Sequence, residues 1–114
     1  MRISLKTPSK PPVVLTPGHF RPEVGRIITC LAEEWPGQEI VITRGAEYVS
    51  GGSANSRHMK SQAFDFRTFN LLKNVDREQL LERVMARLGP GYYGYYGNRD
   101  GVRWYHIQWN GGTK

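Results

Sequence analysis

The sequence has a single cysteine, Cys30, so no disulfide can form within the chain. It has no apolar run that approaches the roughly 20 residues of a membrane-spanning helix, and we expect no insertion into a membrane. Its first six residues carry positive charge without a hydrophobic stretch behind them, so we expect no secretory signal. These shortages exclude a disulfide scaffold and a helical membrane protein. Cys30 lies among Ile27, Ile28 and Leu31, a setting that predicts a small buried side chain rather than a nucleophile.

The rest of the composition is typical of a folded domain. Hydrophobic residues make up 39% and charged residues 23% of the 114 residues, a length that suits one domain with one core. The formal net charge is +6, and the 16 lysines and arginines are spread along the chain without forming a block. A basic surface suits an anionic partner, and nucleic acid and bacterial cell wall both qualify. No nucleic-acid-binding motif supports the first of these partners.

Prolines and glycines divide the chain into an arm and one domain. Residues 1–14 contain three prolines among lysine and serine, and they are predicted to form an extended arm before a domain over residues 15–114. A first helix is predicted to begin near Pro22, because apolar residues follow at helical spacing until a Pro-Gly pair. A second amphipathic helix is predicted after Asp76, which forms a plausible capping pair with Gln79.

Four short segments have the β-branched or aromatic composition of strands. They are residues 39–43, 62–66, 92–96 and 103–109. The last two flank a turn-rich loop at residues 97–101 and are predicted to form a hairpin. Residues 44–57 are rich in glycine, serine and asparagine and are predicted to be loop. The predicted fold class is therefore α+β, with helices on one face of a small, mostly antiparallel sheet.

Two histidines and one aspartate carry the strongest chemical signal. His58 lies at the end of a loop, Asp65 lies in a predicted strand between two phenylalanines, and His106 lies in the aromatic segment WYHIQW. A buried aspartate in such a strand needs a strong partner, and a cation shared with two imidazoles would supply one. Two histidines and a carboxylate are a common ligand set for catalytic zinc. Spacing alone leaves open a solvated His58, an Asp65 that caps a turn and a His106 that belongs to the core.

The segment SRHMKSQAFDF resembles the Ser-x-His-x-x-Gly-x-Ala-x-Asp signature of the D-alanyl-D-alanine carboxypeptidases and L-alanyl-D-glutamate endopeptidases. The matching residues are Ser56, His58, Ala63 and Asp65, and Ser61 stands in the glycine position. The approach to the loop through Ile42-Thr43-Arg44-Gly45 and the Gly51–Ser56 run are also similar. The third ligand of that family is a late histidine in an aromatic strand, which corresponds to His106.

This zinc peptidase family includes vancomycin-resistance carboxypeptidases and phage endolysins, and it shares its fold with the hedgehog signalling domain. The resemblance implies that fold and a Zn²⁺ ion bound by His58, Asp65 and His106. It also implies a metallopeptidase that hydrolyses stem peptides of bacterial peptidoglycan, of the endolysin or D,D-carboxypeptidase type. We expect a monomer that is made in the cytoplasm and reaches the cell wall during phage lysis or aboard a virion. Its expected partners are peptidoglycan peptides rather than nucleic acid.

Departures from the family leave the general base open. The peptidases usually carry a glutamate three residues before the last ligand, where this chain has Arg103. A related group carries a histidine two residues before that ligand, where this chain has Trp104. The hedgehog domain has a glutamate six residues before it, and Asp100 occupies that position here. Asp100 is therefore the first candidate base, with a turn residue as its alternative, and Glu47 is the second because its loop leads toward the site.

The arginine that binds substrate in this family usually follows Ser-Gly-Tyr, and Glu47 stands at the corresponding position. Arg44 is the candidate for holding a peptide carboxylate or an oxyanion, and Arg67 is the alternative. The missing glutamate also leaves open a zinc-stabilised, catalytically degenerate module that binds the cell wall or a protein. His19 is predicted to be structural. The tyrosine-rich residues 92–96 could line a groove or pack within the sheet.

Overall fold

The computed structural model describes residues 2–37, 39–47 and 56–111, and its elements confirm the predicted α+β class. The strands are β1 (Arg2–Leu5), β2 (Glu39–Arg44), β3 (Ala63–Arg67), β4 (Tyr92–Arg99) and β5 (Val102–Trp109). The helices are α1 (Pro22–Glu34) and α2 (Arg77–Leu88), and a 3-10 turn at Pro17–Phe20 precedes α1. Residues 48–55 of the predicted loop, with most of the Gly51–Ser56 run, lie outside the described residues.

The five strands form one sheet in the order β1-β2-β3-β5-β4. Only β1 and β2 run parallel, and the other three neighbouring pairs are antiparallel, so the sheet is mostly antiparallel as predicted. β1 itself was not predicted. Residues 2–5 of the predicted arm pair with residues 39–42, so the start of the chain is an edge strand of the domain. This strand is largely exposed and only four residues long, so its short polar–apolar alternation was a weak signal beside the prolines that follow it.

Each helix begins where its sequence favours a first turn. Pro22 opens α1, because its fixed φ suits that position, and the helix buries an apolar stripe that includes Leu31. Cys30 lies in the same stripe and is 5% exposed, which confirms the predicted burial. Asp76 caps α2, and its carboxylate accepts the backbone N–H groups two and three residues later, each at 3.1 Å. Among the described residues, no helix is long and apolar enough to cross a membrane.

The two faces of the sheet have different surroundings. Phe64 and Phe66 of β3 and Tyr105 of β5 are at most 1% exposed and belong to one core cluster with the apolar stripes of both helices. Because side chains alternate along a strand, the intervening Asp65 and His106 lie on the opposite face. We call this second face, which carries β3 and β5 residues such as Asp65 and His106, the open face.

The β4–β5 hairpin is longer and its turn is tighter than predicted. Pairing continues to Arg99 and Val102, so only Asp100 and Gly101 form the turn. Their φ angles are 53° and 85°, and two consecutive positive φ angles are the mark of a type I′ turn, for which Asp-Gly is a favoured pair. The predicted five-residue loop at 97–101 is therefore wrong, because turn-forming residue types also occur here within a paired strand.

The two helices are joined by an ion-pair network that allows a test of stability. The carboxylate of Glu34 on α1 accepts hydrogen bonds from Arg87 Nε at 2.6 Å and Arg83 Nε at 2.9 Å. These bonds hold the pKa of Glu34 below its usual value, and the bond from Arg87 has the largest effect. A lowered carboxyl pKa stabilises the fold above the unfolded-state pKa, and this stabilisation disappears as pH falls through the folded-state pKa.

We expect Glu34→Gln to lower the melting temperature at neutral pH and the deficit to vanish in strongly acid solution. Thermal denaturation followed by circular dichroism across the acid range measures both. The matched control is Glu33→Gln, because Glu33 lies 3.8 Å from Arg87 in a longer, more exposed pair. A deficit that does not change with pH would show that the charge of Glu34 is not what stabilises the helix pair.

Candidate metal centre

The structure brings His58, Asp65 and His106 into one cluster. Asp65 Oδ1 lies 3.0 Å from His58 Nε2 and 2.9 Å from His106 Nδ1, and the two nitrogens are 3.1 Å apart. His58 is 3% exposed, His106 is 7% exposed, and the Asp65 side chain is 15% exposed. These three predicted ligands could hold a metal ion.

The outer nitrogens of both imidazoles determine what the inner nitrogens offer. His58 Nδ1 is 3.1 Å from the carbonyl oxygen of Gly45, and His106 Nε2 is 2.8 Å from Gln108 Oε1. Since both partners can only accept, each outer nitrogen carries the proton of a neutral imidazole. The inner nitrogens then present lone pairs to each other and to the Asp65 carboxylate. Three such acceptors this close favour a positive charge among them, either a proton or a metal ion, because their negative partial charges repel.

The charge of Asp65 suits this requirement. Burial is the largest influence on its pKa and would raise it, but in the metal-free cluster hydrogen bonds from a proton held between Asp65 and the imidazoles of His106 and His58 outweigh burial. The pKa of Asp65 is therefore lowered, and the carboxylate is ionised at neutral pH. A buried anion next to two imidazole lone pairs attracts a metal cation, and the mixed nitrogen and oxygen donor set suits a divalent transition metal.

The sheet and the preceding turn explain why these residues meet. Asp65 and His106 are directly paired across β3 and β5, so their side chains are neighbours on the open face. His58 comes from the turn before β3, where Ser61 N donates to the His58 carbonyl oxygen at 3.0 Å. Ser61 has a φ of 59°, in the left-handed region that favours glycine. The backbone therefore gives a physical reason for a glycine at this position of the signature.

A β-bulge places Arg44 beside the cluster. Ile42 pairs with Phe66 on the core face, but the register between β2 and β3 shifts, and Arg44 pairs with Asp65. The extra residue, Thr43, turns Arg44 onto the open face, because a bulge changes the alternation of side chains. Arg44 Nε is buried and has no hydrogen-bond partner within the described part of the chain. Of the predicted catalytic residues, Arg44 is the one that lies next to the ligands.

Glu47 lies near the cluster but does not face it. Its Oε1 accepts the backbone N–H groups of Val14 and Gly45, each at 2.9 Å, and the residue is 7% exposed. Glu47 is therefore tied to two backbone segments, and Gly45 lies between it and His58. This arrangement gives no support to Glu47 as the general base.

Asp100 is not brought to the cluster. It lies in the turn of the hairpin, beyond the start of β5 at Val102, and the four steps of strand from Val102 to His106 at roughly 3.3 Å each already span about 13 Å. The positive φ of Asp100 belongs to the turn, so the structure favours the turn residue over the general base.

Arg103 is three residues before His106 and lies on the opposite face of β5, where its guanidinium is 6.0 Å from the Tyr96 ring. Arg67 is on the open face but packs its guanidinium over a phenylalanine ring, Phe69, at 4.6 Å.

The tyrosine-rich strand packs on the core with one face and exposes tyrosines on the other. Tyr92 and Tyr96 pack against the core cluster, whereas Tyr93 and Tyr95 are 53% and 40% exposed. The Tyr95 ring is stacked on His106, with ring centroids 4.9 Å apart and planes at 22°. The pKa of Tyr95 is raised mainly by burial, and the nearby negative charge of Asp65 raises it further. One side of the cluster is therefore an aromatic wall that includes Tyr95.

The structure adds Gln108, which sequence reasoning missed, and it shows the surroundings of His19, which was predicted to be structural. Gln108 is two residues after His106, and the period of a strand places both on one face, so the signal for Gln108 was present. His19 is 2% exposed, its ring is 4.9 Å from that of Phe64, and its Nδ1 accepts the backbone N–H of Thr16. Burial lowers the pKa of His19, which agrees with a structural role.

No family model, curated protein or solved structure matches this chain. Function must therefore be inferred from the cluster, its hydrogen bonds and the residues around it.

Proposed function

We propose that the chain is a zinc-dependent peptidase that hydrolyses peptide bonds in the stem peptides of bacterial peptidoglycan. The observation that carries the proposal is the convergence of two imidazole nitrogens and one carboxylate on an open sheet face, next to an arginine nitrogen that has no hydrogen-bond partner among the described residues. The signature residues around His58 and Asp65 resemble those of peptidases of this kind. The hedgehog-like fold belongs to the same proposal, and the observed α+β architecture is consistent with it.

The size and chemistry of the donor set favour zinc. In a tetrahedral site with bonds of roughly 2.0–2.1 Å, neighbouring ligand atoms are roughly 3.3 Å apart. The three distances within the cluster are 2.9, 3.0 and 3.1 Å, close to that separation. Calcium prefers six to eight oxygen ligands at roughly 2.3–2.6 Å, and magnesium prefers an octahedron of oxygens. Three protein ligands of this type are the usual number for a catalytic zinc site.

The surrounding residues suit a peptide substrate. When bound, zinc would supply a Lewis acid that polarises a carbonyl group and activates water. Arg44 would hold a carboxylate or the developing oxyanion of the substrate, because its Nε–H, beside Asp65, has no acceptor among the residues that the structure describes. Tyr95 would form the side of the groove in which the peptide lies. Neither Asp100 nor Glu47 is placed to accept the proton of the attacking water.

That last observation favours a second candidate function. A zinc-stabilised module that binds cell wall or protein without hydrolysis would need the ligands but no base. The two predicted bases are engaged elsewhere, one in a turn and one with backbone N–H groups. The two functions differ in one measurable property, which is turnover.

The test combines metal analysis with digestion of purified peptidoglycan. We expect about one zinc per chain, release of soluble peptides, and loss of release when a chelator removes the metal. Mass spectrometry of the products distinguishes a freed terminal D-alanine from an internal cut. Chelation should also lower the melting temperature, because zinc binds only the folded chain. Zinc without hydrolysis would favour the binding module, and a protein that binds no zinc would contradict both candidates.

A further inference from the structure

The two candidate histidine ligands are held from outside the cluster by hydrogen bonds that the proposed catalytic chemistry does not use. The carbonyl of Gly45 accepts from His58 Nδ1, and the side-chain oxygen of Gln108 accepts from His106 Nε2. Each bond orients one imidazole ring and keeps the proton on its outer nitrogen. The inner nitrogens of His58 and His106 are thereby turned toward each other and toward Asp65.

The Gly45 carbonyl is held in place by Val14 and, through the neighbouring peptide unit, by Glu47. The peptide unit of the carbonyl is held by Ala46 N, which donates to the Val14 carbonyl oxygen at 2.7 Å. One carboxylate oxygen of Glu47 accepts from Gly45 N, in the preceding peptide unit, and from Val14 N. A Cβ atom at Gly45 would clash with the Val14 carbonyl oxygen, so the two backbone segments touch and leave no room for a side chain. The backbone on both sides of Gly45 is therefore fixed, and Glu47 ties it to Val14.

The amide of Gln108 is held in a similar way. Its Nε2 donates to Asn110 Oδ1 at 2.7 Å, which turns its oxygen toward His106. The ring of His106 is also stacked against Tyr95 on one side. Each imidazole thus has an oriented acceptor behind it, supplied by a peptide in one case and by a side-chain amide in the other.

We propose that Glu47 and Gln108 are positioning residues that set the metal affinity of the cluster, Glu47 through the Gly45 carbonyl and Gln108 through His106. The proposal rests on the cluster as a zinc site. Removing an outer hydrogen-bond partner of a metal-binding histidine typically weakens metal binding by about 10- to 100-fold. Glu47 thereby has a role that requires hydrogen-bond acceptance and no proton transfer.

The experiment measures the zinc dissociation constant by competition with a chromophoric chelator for four variants. Glu47→Ala and Gln108→Met remove the acceptors, and each should weaken binding by about 10- to 100-fold. Glu47→Gln keeps an oxygen that can accept from both N–H groups and should bind within a few-fold of wild type. Glu34→Gln is the matched control, because it removes a carboxylate that also accepts two hydrogen bonds, far from the cluster, and its affinity should not change.

Nitrogen NMR of the zinc-loaded protein provides a second measurement in case Glu47→Ala does not fold. In the wild type we expect zinc on Nε2 of His58 and on Nδ1 of His106, with the protons on His58 Nδ1 and His106 Nε2. In Gln108→Met we expect the Nε2 proton of His106 to exchange faster with water while that of His58 is unchanged. A wild type in which zinc binds either outer nitrogen overturns the proposal.

The outcomes separate this inference from the proposed function. A wild type that binds no zinc contradicts both. If the wild type binds zinc but Gln108→Met and Glu47→Ala bind equally well, only the positioning role fails. An affinity in Glu47→Gln as low as in Glu47→Ala would show that the charge is needed rather than the acceptor, which also overturns the inference.

Discussion

Replacing Asp65 with alanine is expected to abolish zinc binding and hydrolysis while the domain stays folded. Asp65 supplies the one negative charge of the cluster and contacts both inner imidazole nitrogens, at 2.9 and 3.0 Å. Its loss should therefore weaken zinc binding by more than the roughly 10- to 100-fold that follows removal of an outer partner. The core on the opposite sheet face does not include Asp65, so the far-ultraviolet circular dichroism spectrum should be retained.

Zinc content after dialysis and peptide release from cell wall are the two readouts for this variant. Asp100→Asn is the matched control, because it changes a carboxylate at the hairpin turn and asparagine also suits a type I′ turn. We expect the control to keep both zinc and activity. An Asp65→Ala protein that retains one zinc per chain would show that the ion is bound somewhere other than this cluster.

Replacing Arg44 with alanine is expected to reduce kcat/KM by about 10²- to 10³-fold, the usual effect of removing one donor to a developing oxyanion. The reason is its position opposite Asp65, with a buried Nε that has no acceptor in the described part of the chain. Zinc content should not change, because Arg44 is not a ligand. Steady-state kinetics on a soluble stem peptide, with zinc measured on the same sample, test both statements.

Two further variants sharpen this test. Arg44→Lys should recover part of the lost activity, because an ammonium group keeps the charge but not the forked geometry of a guanidinium. Arg67→Ala is the matched control on the same sheet face, and its guanidinium already packs on Phe69. A larger loss from Arg67→Ala than from Arg44→Ala would move the role to Arg67, the alternative that the sequence left open.

Local patterns in the chain determined much of the architecture. The helix of which Leu31 is part and the helix capped by Asp76 were predicted because spacing and capping depend on residues only a few positions apart. The three candidate ligands were predicted because two of them lie within one short motif and the third stands in a recognisable aromatic strand. The α+β class followed from the same signals, and the structure confirms it.

The candidate catalytic residues were harder to predict, because their positions depend on how strands pair. Asp100 was chosen by its distance along the sequence from His106, but a tight turn and an unbroken strand carry it away from the cluster. Glu47 was chosen for its loop, but the backbone N–H groups of Val14 and Gly45 engage its carboxylate. The contact with Val14, which joins positions far apart in the sequence, could not be read from the adjacent residues.

The sequence by itself determined which residues have metal-binding chemistry, which segments are helical and which face of each helix is buried. Only the tertiary structure decided that a bulge turns Arg44 toward Asp65, and that Gly45 and Gln108 hold the outer nitrogens of the two histidines. The physical reason is range. Periodicity and capping act over a few residues, whereas a register shift or a backbone contact between distant segments exists only after the sheet has formed.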